Sequence, residues 1–167
     1  MSDRPLYAPW RMDYIRTLHE PADDACFLCS AAASSTDAER RERLVLWTSE
    51  HCVVLINRYP YTNGHLLIAP RQHLADLELM ADEVAFDLQR QTTQAVLLLK
   101  RSLSPQGFNV GINLGRAAGA GVPGHLHQHV VPRWGGDTNF MSVVGEIRVV
   151  PEAMSRLWEE LNERVLG

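Results

Sequence analysis

Apolar and polar positions change period several times along the chain, and each change predicts an element. Residues 44–47 and 52–56 are short runs rich in apolar and β-branched side chains, separated by the polar stretch TSEH. They predict two antiparallel strands joined by a tight turn. The next stretch, NRYPYTNG at 57–64, is dense in turn formers and predicts a loop. Residues 65–69 then resume as a strand that Pro70 ends. From 82 to 103 the apolar side chains Val84, Leu88, Ala95, Leu99 and Leu103 recur at helical spacing, with Asp82 and Glu83 at the start and Lys100 and Arg101 near the end. Both charge placements suit the helix dipole. Pro151 opens a second helix whose inner face is Met154, Leu157, Trp158, Leu161 and Val165.

Between these helices GFNVGINLG, at 107–115, alternates strictly. Phe108, Val110, Ile112 and Leu114 form one face, expected in the core, and Asn109, Gly111 and Asn113 form the other. A glycine-rich loop, RAAGAGVPG, leads into a strand beginning at 124 or 125, and a further strand is expected at 142–150. The small-residue stretch 31–36 predicts a loop or helix end before the charged run 37–43. Only the long helix is a connection of the length a parallel crossover needs, so the pattern predicts an α+β fold with a mainly antiparallel sheet.

Composition changes this picture little. A chain of 167 residues is the size of one ordinary domain and can bury a core without a disulfide scaffold. A net charge of -4 without a basic stripe argues against nucleic acid as a partner, and no run approaches a membrane span. The N-terminus carries charges every few residues and no apolar leader, so a cytoplasmic protein is expected. Of three cysteines, two form Cys26-Phe27-Leu28-Cys29, a spacing that points to metal or redox use, and Cys52 reads as a core residue on a strand.

The densest chemistry lies in HLHQHVV, where three of the seven histidines occupy every second position. In a strand, His125, His127 and His129 would share one face at spacings of roughly 6.5–7 Å. Such a row suits buried, hydrogen-bonded histidines, a metal site, or a nucleophile, because a neutral imidazole can attack phosphorus and leave again.

This stretch resembles the signature of the histidine triad (HIT) family of nucleotide hydrolases and transferases. The resemblance extends to Asn57 before its turn, to Gly64-His65 and the strand ending Ala69-Pro70-Arg71-Gln72-His73, and to Asn113-Leu114-Gly115. Pro9-Trp10-Arg11, the CxxC, VPRW and GDTNFM are similar to the bacterial branch that includes diadenosine tetraphosphate phosphorylases. The resemblance implies a half-barrel with a five-stranded sheet, one long helix and a C-terminal helix, in a single domain spanning 1–167 with 1–25 as an N-terminal extension. It implies a homodimer and a nucleotide substrate. His127 would attack the α-phosphorus and His129 would support it. Asn57 would bind ribose, Phe27, Leu28 and Ile56 would surround the base, and Asn113, His65 and the loop amides near Gly119 and Gly121 would face the phosphates. It also implies a structural zinc held by Cys26, Cys29, His73 and His125, with no organic cofactor. Gln128 stands where the family carries an apolar residue. Arg133 and Trp134 either contact substrate or pack on each other. A phosphoramidase, a nucleotide-binding protein without turnover, and an enzyme using all three histidines on a catalytic ion remain as alternatives.

Overall fold

The computed structural model describes residues 26–137 and 153–166. Helix α1 (Phe27–Ala32) follows directly on Cys26, and α2 (Asp37–Glu42) on Thr36. Strands β1 (Val45–Thr48), β2 (Cys52–Ile56) and β3 (Leu66–Pro70) form a meander, and helix α3 (Asp82–Leu103) leads from it to β4 (Gly107–Ile112). Strand β5 (Gln128–Arg133) and helix α4 (Met154–Leu166) complete the described chain. All neighbouring strands are antiparallel, in the order β1-β2-β3-β5-β4. The expected α+β architecture with a five-stranded sheet is present.

Strands β2 and β3 are apolar at every position because both sheet faces are covered there. Val54, Ile56, Leu66, Ile68 and Val130 pack with Leu88, Leu98 and Leu99 of α3 and Leu157 and Leu161 of α4. Val53, Leu55, Leu67 and Ala69 face the other way, against Leu28, Ala31 and Ala32 of α1. The buried face of α3 matches the predicted spacing and adds two polar residues. Thr92 donates its hydroxyl hydrogen to the Leu88 carbonyl at 2.8 Å, and Gln91 accepts from Trp47 Nε1 at 2.8 Å. On α4, the Trp158 indole donates to the Val45 carbonyl at 2.9 Å and ties the helix to β1.

Several expectations shift. The charged run at 37–43 is helical because Thr36 and Glu39 form a reciprocal capping box. Strand β4 stops at Ile112, and Val110 and Leu114 are 46 % and 43 % exposed rather than in the core. The reason is position: β4 is the sheet's edge, and of its apolar set only Phe108 and Ile112 pack against the core under α3. The strand expected at 142–150, the helix start at Pro151 and the extension 1–25 lie outside the described residues.

The turn 57–64 closes on Gly64, whose φ of +77° lies in the left-handed region. A Cβ there would meet Leu103 Cδ1 at 2.5 Å and both Leu99 Cδ2 and Pro132 Cγ at 3.2 Å. Glycine is required at this position by conformation and by space, and its close fit seats His65 at the entry to β3.

Candidate active site and metal centre

His129 is the first triad position that lies within a strand. It pairs with Leu67 of β3 on one side and Gly111 of β4 on the other, so its ring shares the α1 face of the sheet. His125 and His127 precede the strand, which begins at Gln128 rather than at 124 or 125. Their stretch is held from outside the sheet, with the Leu126 N–H donating to the Leu74 carbonyl at 2.7 Å and the His125 N–H to the Val122 carbonyl at 3.2 Å.

Hydrogen bonds fix which ring nitrogen carries the proton. His127 Nδ1 lies 2.8 Å from the His125 carbonyl, an acceptor only, so Nδ1 carries a proton and, in the neutral ring, the lone pair is on Nε2. The Tyr61 backbone N–H donates to His65 Nδ1 at 3.1 Å. His65 Nε2–H therefore donates to His129 Nδ1, 2.9 Å away, and the proton of His129 sits on Nε2. Asn57 adds its amide at 3.2 Å from His65 Nδ1, while its Oδ1 accepts from the Tyr59 N–H at 3.0 Å. Asn113 Nδ2 is 3.5 Å from His129 Nε2, and as both atoms carry hydrogen neither satisfies the other, so both retain donors for an incoming oxygen.

Burial sets the charge state of His129. His65 is fully buried and His127 is 5 % exposed. Burial, and secondarily the nearby His127, push the His129 imidazolium down to about 4, so His129 is neutral at pH 7. The rings of His127 and His129 meet edge to face with centroids 5.0 Å apart, and Tyr61 stacks over His129 at 5.9 Å. The site thus presents one basic nitrogen beside one N–H donor in a nearly dry setting.

His125 turns elsewhere. Its Nε2–H donates to the Pro70 carbonyl at 2.8 Å, leaving the Nδ1 lone pair 3.2 Å from Cys26 Sγ and 3.4 Å from Cys29 Sγ. His73 Nδ1 stands 3.3 Å from Cys29 Sγ, and the four donor atoms lie within 4.8 Å of one another. With Zn–S near 2.3 Å and Zn–N near 2.0–2.1 Å, a tetrahedral ion needs S···N edges of roughly 3.5 Å, so the donor set and its spacing fit a closed Cys2His2 zinc. Burial, and then the Cys26 sulfur, raise the Cys29 thiol above its ordinary value, as expected when two thiols crowd together without a cation.

Leu28 is fully buried on the histidine face of the sheet, and Phe27 beside it is 48 % exposed. Ile56 is on the opposite face, 1 % exposed among the α3 and α4 side chains, so the structure separates it from the histidines. Gly119 and Gly121 belong to the loop between β4 and β5 that opens with a helical turn at Arg116–Ala118. Arg133 is engaged by Asp137 at 2.5 and 3.0 Å and by Asn109 at 2.7 Å, a surface network that engages each of its three guanidinium nitrogens. Gln128 pairs with Ile68 and Ile112 and shares their face, away from His127 and His129. Two contributors were not singled out in the sequence, the Tyr61 N–H and the Pro70 carbonyl. Both act through the backbone, where side-chain identity gives no signal.

A family model described as the HIT domain matches residues 39–136, more than half of the chain. The chain belongs to the HIT family. Among its HIT relatives, a protein named AP-4-A phosphorylase from Mycobacterium tuberculosis is 36 % identical over 155 residues, covering 89 % of this chain and 77 % of its own. The HIT fold also matches solved structures. A Zn-bound histidine triad family protein from Mycobacterium smegmatis superposes with a TM-score of 0.66 at 24 % identity, covering 85 % of this chain and 94 % of its own. Plasmodium falciparum diadenosine triphosphate hydrolase gives 0.61 at 16 % identity, covering 84 % and 92 %.

Proposed function

We propose that this HIT protein is a nucleotidyl hydrolase or transferase that cleaves a dinucleoside polyphosphate, such as diadenosine tetraphosphate, through a covalent nucleotidyl-His127 intermediate. The observation that carries this reading is the 2.8 Å bond from His127 Nδ1–H to the His125 carbonyl, which leaves Nε2 as a fixed, unprotonated nucleophile. Nε2 attacks the α-phosphorus, the bond to the bridging oxygen breaks, and the remaining polyphosphate leaves with its nucleoside. Water or inorganic phosphate then takes the nucleotidyl group and returns the lone pair to Nε2. His129 Nε2–H and the Asn113 amide donate to the non-bridging oxygens, where charge accumulates. Loop amides near Gly121 add donors. Asn57, His65 and the α1 residues Phe27 and Leu28 serve the nucleoside side, and Ile56 serves the core instead.

The AP-4-A phosphorylase relative supports phosphate as the acceptor. Incubation of diadenosine tetraphosphate with and without inorganic phosphate tests this. Phosphorolysis yields ADP and ATP, whereas hydrolysis yields AMP and ATP. His127→Ala is expected to abolish an acid-labile adenylyl adduct and to lower kcat by at least about a thousandfold, as for loss of a nucleophile. Wild-type protein that turns over substrate without ever forming an adduct sinks the mechanism.

Cys26, Cys29, His73 and His125 would hold zinc, whose contribution is structural, tying α1 to the stretch that enters β5. The Zn-bound relative supports this. One zinc per chain by elemental analysis, reduced by Cys26→Ser, is the expected result. The protein is further read as a homodimer, and the exposed Val110 on the open β4 edge supports that reading. A solution mass of 18.8 kDa rather than twice that value overturns it.

A further inference from the structure

Cys26 and Cys29 are half-buried, while Cys52 is fully buried on β2. An oxidant in solution therefore meets only the first two. Cys26 immediately precedes α1 and Cys29 lies in its first turn. Helical i, i+3 spacing brings their Cα atoms to roughly 5–6 Å, inside the window of about 4.4–6.8 Å that a disulfide requires. Their sulfurs are within 4.8 Å of each other. The CxxC can therefore close without moving the helix.

The pair is linked to the catalytic centre through one residue. His125 directs Nδ1 to both thiols, Nε2–H to the Pro70 carbonyl, and its own carbonyl to His127 Nδ1–H. The bond that fixes the tautomer of His127 thus comes from the backbone of a residue whose side chain belongs to the metal cluster.

We propose that Cys26 and Cys29 are a reversible oxidation site that gates the active site: peroxide closes them into a disulfide, zinc is released, and His125 ceases to hold His127 in its attacking orientation. One thiolate attacks hydrogen peroxide to give a sulfenic acid and hydroxide, and the other displaces a second hydroxide to form the S–S bond. Two thiolates are oxidised by two electrons in total, and one peroxide accepts both. A disulfide sulfur is a poor zinc ligand, and His73 and His125 alone leave the ion two donors short. Only the catalytic consequence rests on the nucleophilic role assigned to His127, since the thiol and metal steps stand without it.

The test treats reduced, zinc-loaded full-length protein with hydrogen peroxide. Released zinc is read with a chromogenic chelator, the disulfide by peptide mass mapping, the His127 tautomer by 15N NMR, and adduct formation by single turnover with diadenosine tetraphosphate. The expected result is loss of two of the three thiols, release of one zinc per chain, loss of the protonated Nδ1 signal of His127, and adduct formation slowed about tenfold or more, as for loss of an outer-shell partner. Dithiothreitol with zinc restores all four. Zinc retained after oxidation, a linkage other than 26–29, or zinc lost with the His127 signal and adduct rate unchanged overturns the proposal. Cys29→Ser, which removes a zinc ligand, is expected to show low zinc and slowed adduct formation before peroxide is added and no further change after it, and if that variant does not fold the wild-type titration decides alone. If no adduct forms even in reduced protein, the catalytic reading fails, while zinc release and the His127 signal still decide the gate.

Discussion

His129 shows what burial does to a titratable residue that must stay neutral. Its pKa in the folded protein is about 4, against about 6.5 for an unperturbed histidine. Between these values the unfolded chain takes up a proton that the folded chain refuses, so stability is fully present above pH 6.5 and is lost as pH falls toward 4. Urea midpoints measured from pH 4 to 8 for wild type and His129→Gln isolate this term. The difference between the two curves is expected to be flat above pH 6.5 and to change steadily below it. A difference independent of pH refutes the assignment. The residue scale also marks a limit of sequence reading. Period-2 alternation made His125, His127 and His129 equivalent, and the strand that would enforce it starts only at Gln128. Bonds to Leu74, Val122 and Pro70 separate the three, and two of those partners, Leu74 and Pro70, are distant in the chain. Ile56 lies across the sheet from the histidines for a related reason, because its neighbours Leu55 and Asn57 face the other way and one residue of register changes the sheet face.

At the scale of elements, the turn 57–64 and helix α3 act as one unit. Gly64→Ala adds a methyl that must displace Leu103, Leu99 or Pro132 and forces a left-handed φ on a residue with a Cβ. Each effect costs on the order of 1–3 kcal/mol. Thermal denaturation is expected to show a fall of at least about 5 °C, with adduct formation impaired because His65 follows directly. An unchanged midpoint contradicts the packing argument. Helix α3 was legible because twenty-two residues carry a 3.6 period with charges ordered along the dipole. Strand β4 was legible as a strand but not in its surroundings. Alternation identifies a face, yet only the sheet order tells whether a helix covers it, and α3 leaves Val110 exposed.

For the whole molecule, the layers were readable from composition by segment, since β2 and β3 are apolar at every position and so demand cover on both faces. What no local pattern carried is that β5 lies between β3 and β4, pairing Leu67 with His129 across all of α3. That insertion sets an order in time. The meander β1-β2-β3 closes through short turns, whereas β5 pays the loop entropy of a long intervening segment before its hydrogen bonds repay it. Pulse-labelled amide exchange during refolding should find β5 protected after β2 and β3. His125, His127 and His129 all arrive with that strand or the residues just before it, so on the proposed mechanism a chain still folding is chemically silent, and the ability to attack a nucleotide is acquired in the same step that completes the sheet.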